Sequence, residues 1–298
     1  MSVHRVEHPL LAVVAASLIF SASQTAIADE ALVWVGCGIS KKAYVEALAK
    51  GYEARTGQKI IIDGGGATRG IREVSSQKAH IGGSCRHSLY GEGAEANTRL
   101  APVGWDALVA IVHPGNPVDS LTIDNLRDIY LGKVSNWKQV GGPDRPLKLY
   151  FRKGKVSGVG YTIRQLIFDN VNQEFVGGQE FASTGPLEKA LEADPEAIAM
   201  TGISSARKRN VKILALNGKE PSYENVRSGA YLLYRPLYLA YNPDNPRVGD
   251  VKKFIEFAYS DEGQEIMRKN GTVPYLEATN LFARTLAERL TAQRTGGL

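Results

Sequence analysis

The chain has 298 residues, a formal net charge of +5 and 43% hydrophobic residues, ordinary values for a globular protein. That length can build one large core or two smaller ones. Basic residues are scattered apart from Arg207-Lys208-Arg209. A stripe of Lys and Arg with aromatic partners is missing, which speaks against a nucleic-acid binder, and the net charge is a mild pull on an acidic ligand.

At the N-terminus His4 and Arg5 precede an apolar run over residues 9–20, followed by Ala26-Ile27-Ala28 and then Asp29. This is the charged, apolar, small-residue order of a secretory leader, and the run is short for a membrane span. The expectation is a leader over 1–28, cleaved near Ala28, and a soluble protein exported to the periplasm. No later segment is long and apolar enough to cross a bilayer.

Short apolar runs at 31–35, 59–63 and 79–83 predict strands. Between them Tyr44, Val45, Leu48 and Tyr52 fall at helical spacing, as do Ile71 and Val74 more weakly. This βαβαβ pattern predicts a parallel sheet with ligands at the carboxyl ends of its strands. The second strand runs into Gly64-Gly65-Gly66-Ala67-Thr68-Arg69-Gly70. Glycines let a backbone approach a ligand closely, and a helix start offers free N–H groups to an anion. An ordinary strand-to-helix turn would look similar, but hydroxyl-bearing turns recur at 38–41, 82–86 and 155–160.

Downstream, 106–113 reads as a strand, 121–131 as a helix starting near Thr122 or Asp124, and 146–152 as a strand. A Gly-rich loop over 153–160 leads to a helix over 161–168, then a strand at 211–215. A long aromatic and aliphatic run fills 231–241. Val251, Phe254, Ile255, Ala258 and Tyr259 mark an amphipathic helix. No repeat and no Pro-rich or Ser-rich linker divides the chain, as expected for two lobes joined by crossing strands.

Cys37 and Cys85 each follow a predicted strand, at the same edge of the sheet. In an oxidising compartment the simplest expectation is one disulfide between them. The alternative is a thiolate pair for a soft metal or metalloid such as copper or arsenite, with His80 or His87 nearby.

These residues carry a resemblance. The turn at 64–70, Ala79-His80-Ile81-Gly82-Gly83-Ser84-Cys85-Arg86, the stretch 121–142 and above all Asn136-Trp137-Lys138-Gln139-Val140-Gly141-Gly142-Pro143-Asp144 resemble the phosphate-binding-protein-like branch of the periplasmic solute-binding proteins, receptors of ATP-driven importers. Residues 195–199, 236–239 and 254–274 extend the likeness. It implies a type II α/β fold of two lobes, each a mostly parallel sheet flanked by helices, with the ligand in the cleft between them. Lobe one would be 29–108 plus 239–298 and lobe two 109–238, with hinge strands near 107–112 and 234–238.

Carried over onto this sequence, the family's oxyanion contacts fall on Ser40, Thr68, Ser84, Arg86, Arg152, Ser157 and Gly158. Arg supplies a planar fork matched to an oxyanion. The hydroxyls can equally be helix caps, and either Arg a surface ion pair. Departures from the pattern are His80 where phosphate-specific members commonly carry Asp, Val159-Gly160-Tyr161 in place of an Arg-containing turn, and a first turn reading Gly36-Cys37-Gly38-Ile39-Ser40. The resulting expectation is a monomeric receptor that captures a small anion, an inorganic oxyanion such as phosphate, for a membrane importer or a sensor kinase. It needs no cofactor and no catalytic step: neither GxSxG nor HExxH occurs. A phosphate-ester hydrolase would need a paired carboxylate or metal cluster, and the sequence offers none.

Overall fold

Two half-sheets share one long strand. The computed structural model describes Met1 and residues 30–89 and 91–295, so the leader read at 1–28 lies outside the described residues save for Met1. β1 (Leu32–Gly36) leads through α1 (Gly38–Ser40) and a π turn at Lys41–Val45 into α2 (Glu46–Thr56). β2 (Ile60–Gly64), α3 (Ala67–Ser75) and β3 (Ile81–Ser84) follow. β4 (Arg99–Val112) is the shared strand. The middle of the chain contributes β5 (Ser120–Leu121), α4 (Ile123–Tyr130), β6 (Lys148–Arg152), α5 (Gly158–Phe168), β7 (Gln179–Phe181), α6 (Thr184–Glu192), β8 (Ala197–Gly202), α7 (Ile203–Ala206), β9 (Lys212–Ile213) and β10 (Ala215–Leu216). The chain then runs through α8 (Tyr223–Ser228), β11 (Tyr234–Tyr241), α9 (Val248–Tyr259), α10 (Asp261–Lys269), β12 (Val273–Pro274) and α11 (Asn280–Thr295).

The strand order is β2-β1-β3-β11-β4-β8-β6-β7. β1 pairs in parallel with β2 and β3, and β6 with β7 and β8, as the βαβ pattern predicts. The two crossing strands are antiparallel to their neighbours. β4 pairs with β11 up to Ala107 and with β8 from Leu108 onward. All of β11 stays in the first half-sheet, although its first residues had been grouped with lobe two.

The cores form where apolar runs meet: Trp34, Tyr44 and Phe254 in the first half, Trp137 and Tyr130 in the second, all fully buried. Thr122 caps α4 in a reciprocal box with Asn125, as its sequence suggested. α5 begins three residues before the expected Tyr161. Gly158 and Gly160 read as loop, but here they form a first helical turn pressed against the other half. A Cβ on Gly158 would lie 2.4 Å from Cys85 Sγ. α11 spans both halves: Ala292 packs with Tyr161 of α5 and Val171, while Arg284 lies 5.4 Å from the Tyr234 ring. Among the described residues no helix is long and apolar enough to cross a membrane.

Candidate functional site

The carboxyl ends of β1, β2 and β3 face the start of α5 across the line between the half-sheets. α3 opens at Gly66, whose φ of 98° is left-handed and favours glycine. Thr68, in the first turn of α3, donates to the carbonyl of Val156 on the opposite side at 2.8 Å. Helix starts from both halves therefore meet here, and each presents N–H groups with partial positive charge.

Arg152 ends β6 and is buried. Its Nε donates to Phe181 O, Nη1 to Thr184 Oγ1 and Nη2 to Ala182 O. A guanidinium has five N–H groups, so two remain. Nη2 lies 3.9 Å from where a Cβ on Gly66 would stand, so the side chain faces the start of α3.

Arg86 behaves differently from the expected anion clamp. Nη2 and Nη1 form a bidentate pair with Glu95 at 2.7 and 2.9 Å, both side chains being inaccessible. Nη1 also donates to His87 O, Nη2 to Thr68 Oγ1, and Nε to Val156 O. All five donors are used. Arg86 is thus a strut that ties Glu95, α3 and the Val156 loop together. Burial alone would raise the Glu95 carboxyl, but the hydrogen bonds and charge of Arg86 outweigh it and hold it below the usual carboxylate range.

Ser84 also turns inward on its own chain. Its Oγ donates to Arg86 O at 2.6 Å and accepts from Arg86 N–H at 3.1 Å, closing a local turn. Ser157 stands at the start of α5 but its Oγ donates backward to Gly154 O. Ser40 is buried, donates to Ser84 O at 3.4 Å and touches Cys37 Sγ at 3.1 Å.

His80 is separated from the rest. It precedes β3, at the end of the strand opposite to Ser84, and its Nδ1 accepts the Val33 N–H at 2.9 Å. Burial, with the nearby Arg247 charge, lowers its pKa. His80 therefore stands at the amino end of β3, away from the carboxyl edge where the helix starts meet. His87 joins no cysteine either: its Nε2 lies 3.1 Å from Tyr161 Oη.

Cys37 and Cys85 are free thiols, which corrects the expected disulfide. Neighbouring strands do bring them together. Gly36 pairs with Gly83, and Cys37 N–H donates to Gly83 O at 3.0 Å. Cys37 caps α1, its sulfur accepting from Ser40 N–H at 3.3 Å. The hydrogen bond from Cys37, aided by the charges of Arg235 and Arg152 and opposed by burial, brings Cys85 down to about 6. Burial pushes Cys37 well above its ordinary value.

Two residues escaped sequence reasoning. Asp106 on β4 and Arg235 on β11 are both buried and pair at 3.5 Å. Asp106 accepts from Ser204 Oγ at 2.8 Å, and burial raises its pKa against the pull of Arg235. Arg235 Nε and Nη2 have no hydrogen-bond partner. The signal was available: each is a charge inside an apolar strand run. Arg235 and Cys85 line a cavity of about 430 Å³ between the 85–88 turn, α5, the crossing strands and α11. Among the described residues no group of three or more His, Cys, Asp or Glu could hold a metal ion.

The geometry agrees with what the chain is similar to. A family model described as the PBP superfamily domain matches residues 24–262. The phosphate-binding protein PstS of Borreliella burgdorferi is 26% identical over 82% of this chain and 90% of its own length. PstS of Bacillus subtilis is 27% identical, covering 83% and 81%. A crystal structure from Clostridium perfringens, described as a phosphate ABC transporter substrate-binding protein with bound phosphate, is 27% identical with a TM-score of 0.73, covering 81% of this chain and 98% of that one. An ABC-type phosphate transport receptor from Vibrio cholerae, at 24% identity and a TM-score of 0.62, shares the fold over 81% of this chain and 99% of its own. The chain belongs to the PBP superfamily, among its phosphate-binding-protein-like periplasmic solute-binding proteins.

Proposed function

We propose that this chain is a phosphate receptor that works outside the cytoplasmic membrane as a monomer and presents its ligand to one membrane partner, an ATP-driven importer or a sensor kinase. The lobes are 29–108 plus 239–298 and 109–238, save that β11 belongs to the first half from Tyr234 onward. The observation that carries this reading is the meeting of two helix starts from opposite halves beside Arg152, which keeps two N–H donors unspent. The backbone N–H groups at the start of α5 and in the first turn of α3 supply further donors around the same point, while Ser40 spends its hydroxyl on Ser84 O and its N–H on Cys37 Sγ. Arg86 and Ser84 shape the site without touching the ligand, because their donors are committed.

Capture followed by closure of the lobes is the whole cycle, and no bond of the ligand is broken. Closure is held by the Thr68 and Arg86 hydrogen bonds to Val156 O. The relatives named above are phosphate-binding proteins, and the donor set suits a tetrahedral oxyanion. Calorimetric titration with phosphate, sulfate, molybdate and arsenate, paired with solution scattering, tests the reading. Phosphate should bind at one site per chain and compact the protein. Heat absent for every oxyanion, with unchanged scattering, would refute it.

A further inference from the structure

The geometry points to a second ligand class for this cleft: a trivalent metalloid hydroxide, of which arsenite is the type, held covalently by Cys37 and Cys85. The inference rests on the reading of the cleft as an oxyanion site.

Several observations carry it. The thiols are neighbours because β1 and β3 are in register, and both are free and buried. They lie where the halves meet, with α5 of the second half against Cys85. Soft sulfur ligands select thiophilic elements. The surroundings then decide which one. Among the described residues no third His, Cys, Asp or Glu completes a metal site. Arg235 and Arg152 both act on Cys85 by their charge. Two guanidiniums against the single Asp106 carboxylate leave the surroundings positive, which disfavours a metal cation such as Cu(I), yet they suit a neutral hydroxide whose remaining oxygen needs donors. Arg235 is buried and lines the same cavity as Cys85; its Nε and Nη2 make no hydrogen bond, and Nη2 stands 3.5 Å from Asp106 Oδ2. Ser40 Oγ stands 3.1 Å from Cys37 Sγ.

The step balances without oxidant or reductant. Each sulfur displaces one hydroxyl from As(OH)3, so two As–S bonds form and two As–O bonds break. The Cys37 proton leaves with one hydroxide as water. The Cys85 proton, or one from solvent where Cys85 is already ionised, carries off the second hydroxide as water. The third hydroxyl stays on arsenic, which remains trivalent, and takes a hydrogen bond from Arg235.

Native mass spectrometry of the exported, unreduced protein with sodium arsenite tests this, alongside thiol counting. One adduct per chain is expected, equal in mass to As(OH)3 less two waters, with both thiols lost to alkylation. Cys37→Ser or Cys85→Ser should weaken binding on the order of a hundredfold, because the second bond no longer forms within one site. X-ray absorption of the wild-type adduct should show two As–S bonds and one As–O bond, a readout independent of how the variants fold. The inference is overturned if both thiols stay reactive at saturating arsenite, if Cu(I) protects them and arsenite does not, or if the exported protein carries a disulfide instead of thiols. A phosphate titration of the same batch separates the two claims. Phosphate binding without an arsenite adduct rejects only this inference, whereas an adduct without phosphate binding rejects the receptor reading.

Discussion

Arg86 and Arg235 are equally buried, each with 3% of its surface exposed, and the fold uses them in opposite ways. Arg86 spends all five donors on Glu95, Thr68 and two carbonyls. Arg235 has a 3.5 Å ion pair with Asp106, a long contact to Thr162, and Nε and Nη2 without hydrogen bonds. A buried charge is tolerated when it is paired and its donors are satisfied. A saturated guanidinium is therefore a strut, and one with spare donors is capacity for a ligand. Sequence does not separate the two: Arg86 follows a strand and Arg235 lies within one, and neither position tells whether its donors find partners.

The largest expected effect falls on the strut. Glu95→Ala leaves Arg86 buried without its carboxylate and should cost about 3–5 kcal/mol of stability. Denaturant unfolding of the ligand-free protein measures this, and a loss below 1 kcal/mol would show that Arg86 finds water instead. Next is the capacity side. Arg152→Ala should weaken phosphate binding roughly ten- to hundredfold, the value of one charge-assisted bond of about 1.5–3 kcal/mol. Calorimetry decides it, and unchanged affinity would remove Arg152 from the site.

The last effect, nil at neutral pH and growing only in acid, concerns His87, one of the two residues whose carbonyls Arg86 holds. Burial, with the charges of Arg289 and Arg86, lowers the His87 pKa to about 3. The unfolded chain binds this proton below its ordinary pKa of about 6.5, while the folded one resists until about 3. Stability should thus be full above about pH 6.5 and fall as the pH drops toward 3, by up to about 1.4 kcal/mol per unit. His87→Leu should flatten that part of the acid limb. An unaltered slope in the variant would mean that other groups set it.

Much of the scaffold was legible because it is local. Strands β1, β2 and β3 and their glycine-rich exits follow from short apolar runs and breakers, and Thr122 announces α4. What failed was position along a strand and pairing at a distance. His80 and Ser84 sit only four residues apart, yet at opposite ends of β3, and only one end faces the cleft. Glu95 lies in a short turn that gave no reason to pair it with Arg86. Asp106 and Arg235 were visible as charges within apolar runs, but their contact joins strands far apart in sequence. The cysteines were placed correctly side by side; whether sulfur bonds to sulfur depends on side-chain detail that strand pattern does not carry.

The shared strand also dictates an order of events during folding. β6, β7, β8 and β9 find all their partners between Leu108 and Ile213, so the second half can close soon after that stretch exists. The first half cannot, because its central strand β11 joins β3 through Gly83 and Leu239, and β4 along Arg99–Ala107. Until that late segment arrives, β3 has an open edge and β4 is paired at only one end. Contacts between residues so distant in sequence are slow to form, since a long loop must close before they gain anything. The half that presents Cys37, the glycine turn and Cys85 is consequently the last to be finished, and the ligand cleft is completed only when nearly the whole chain is in place.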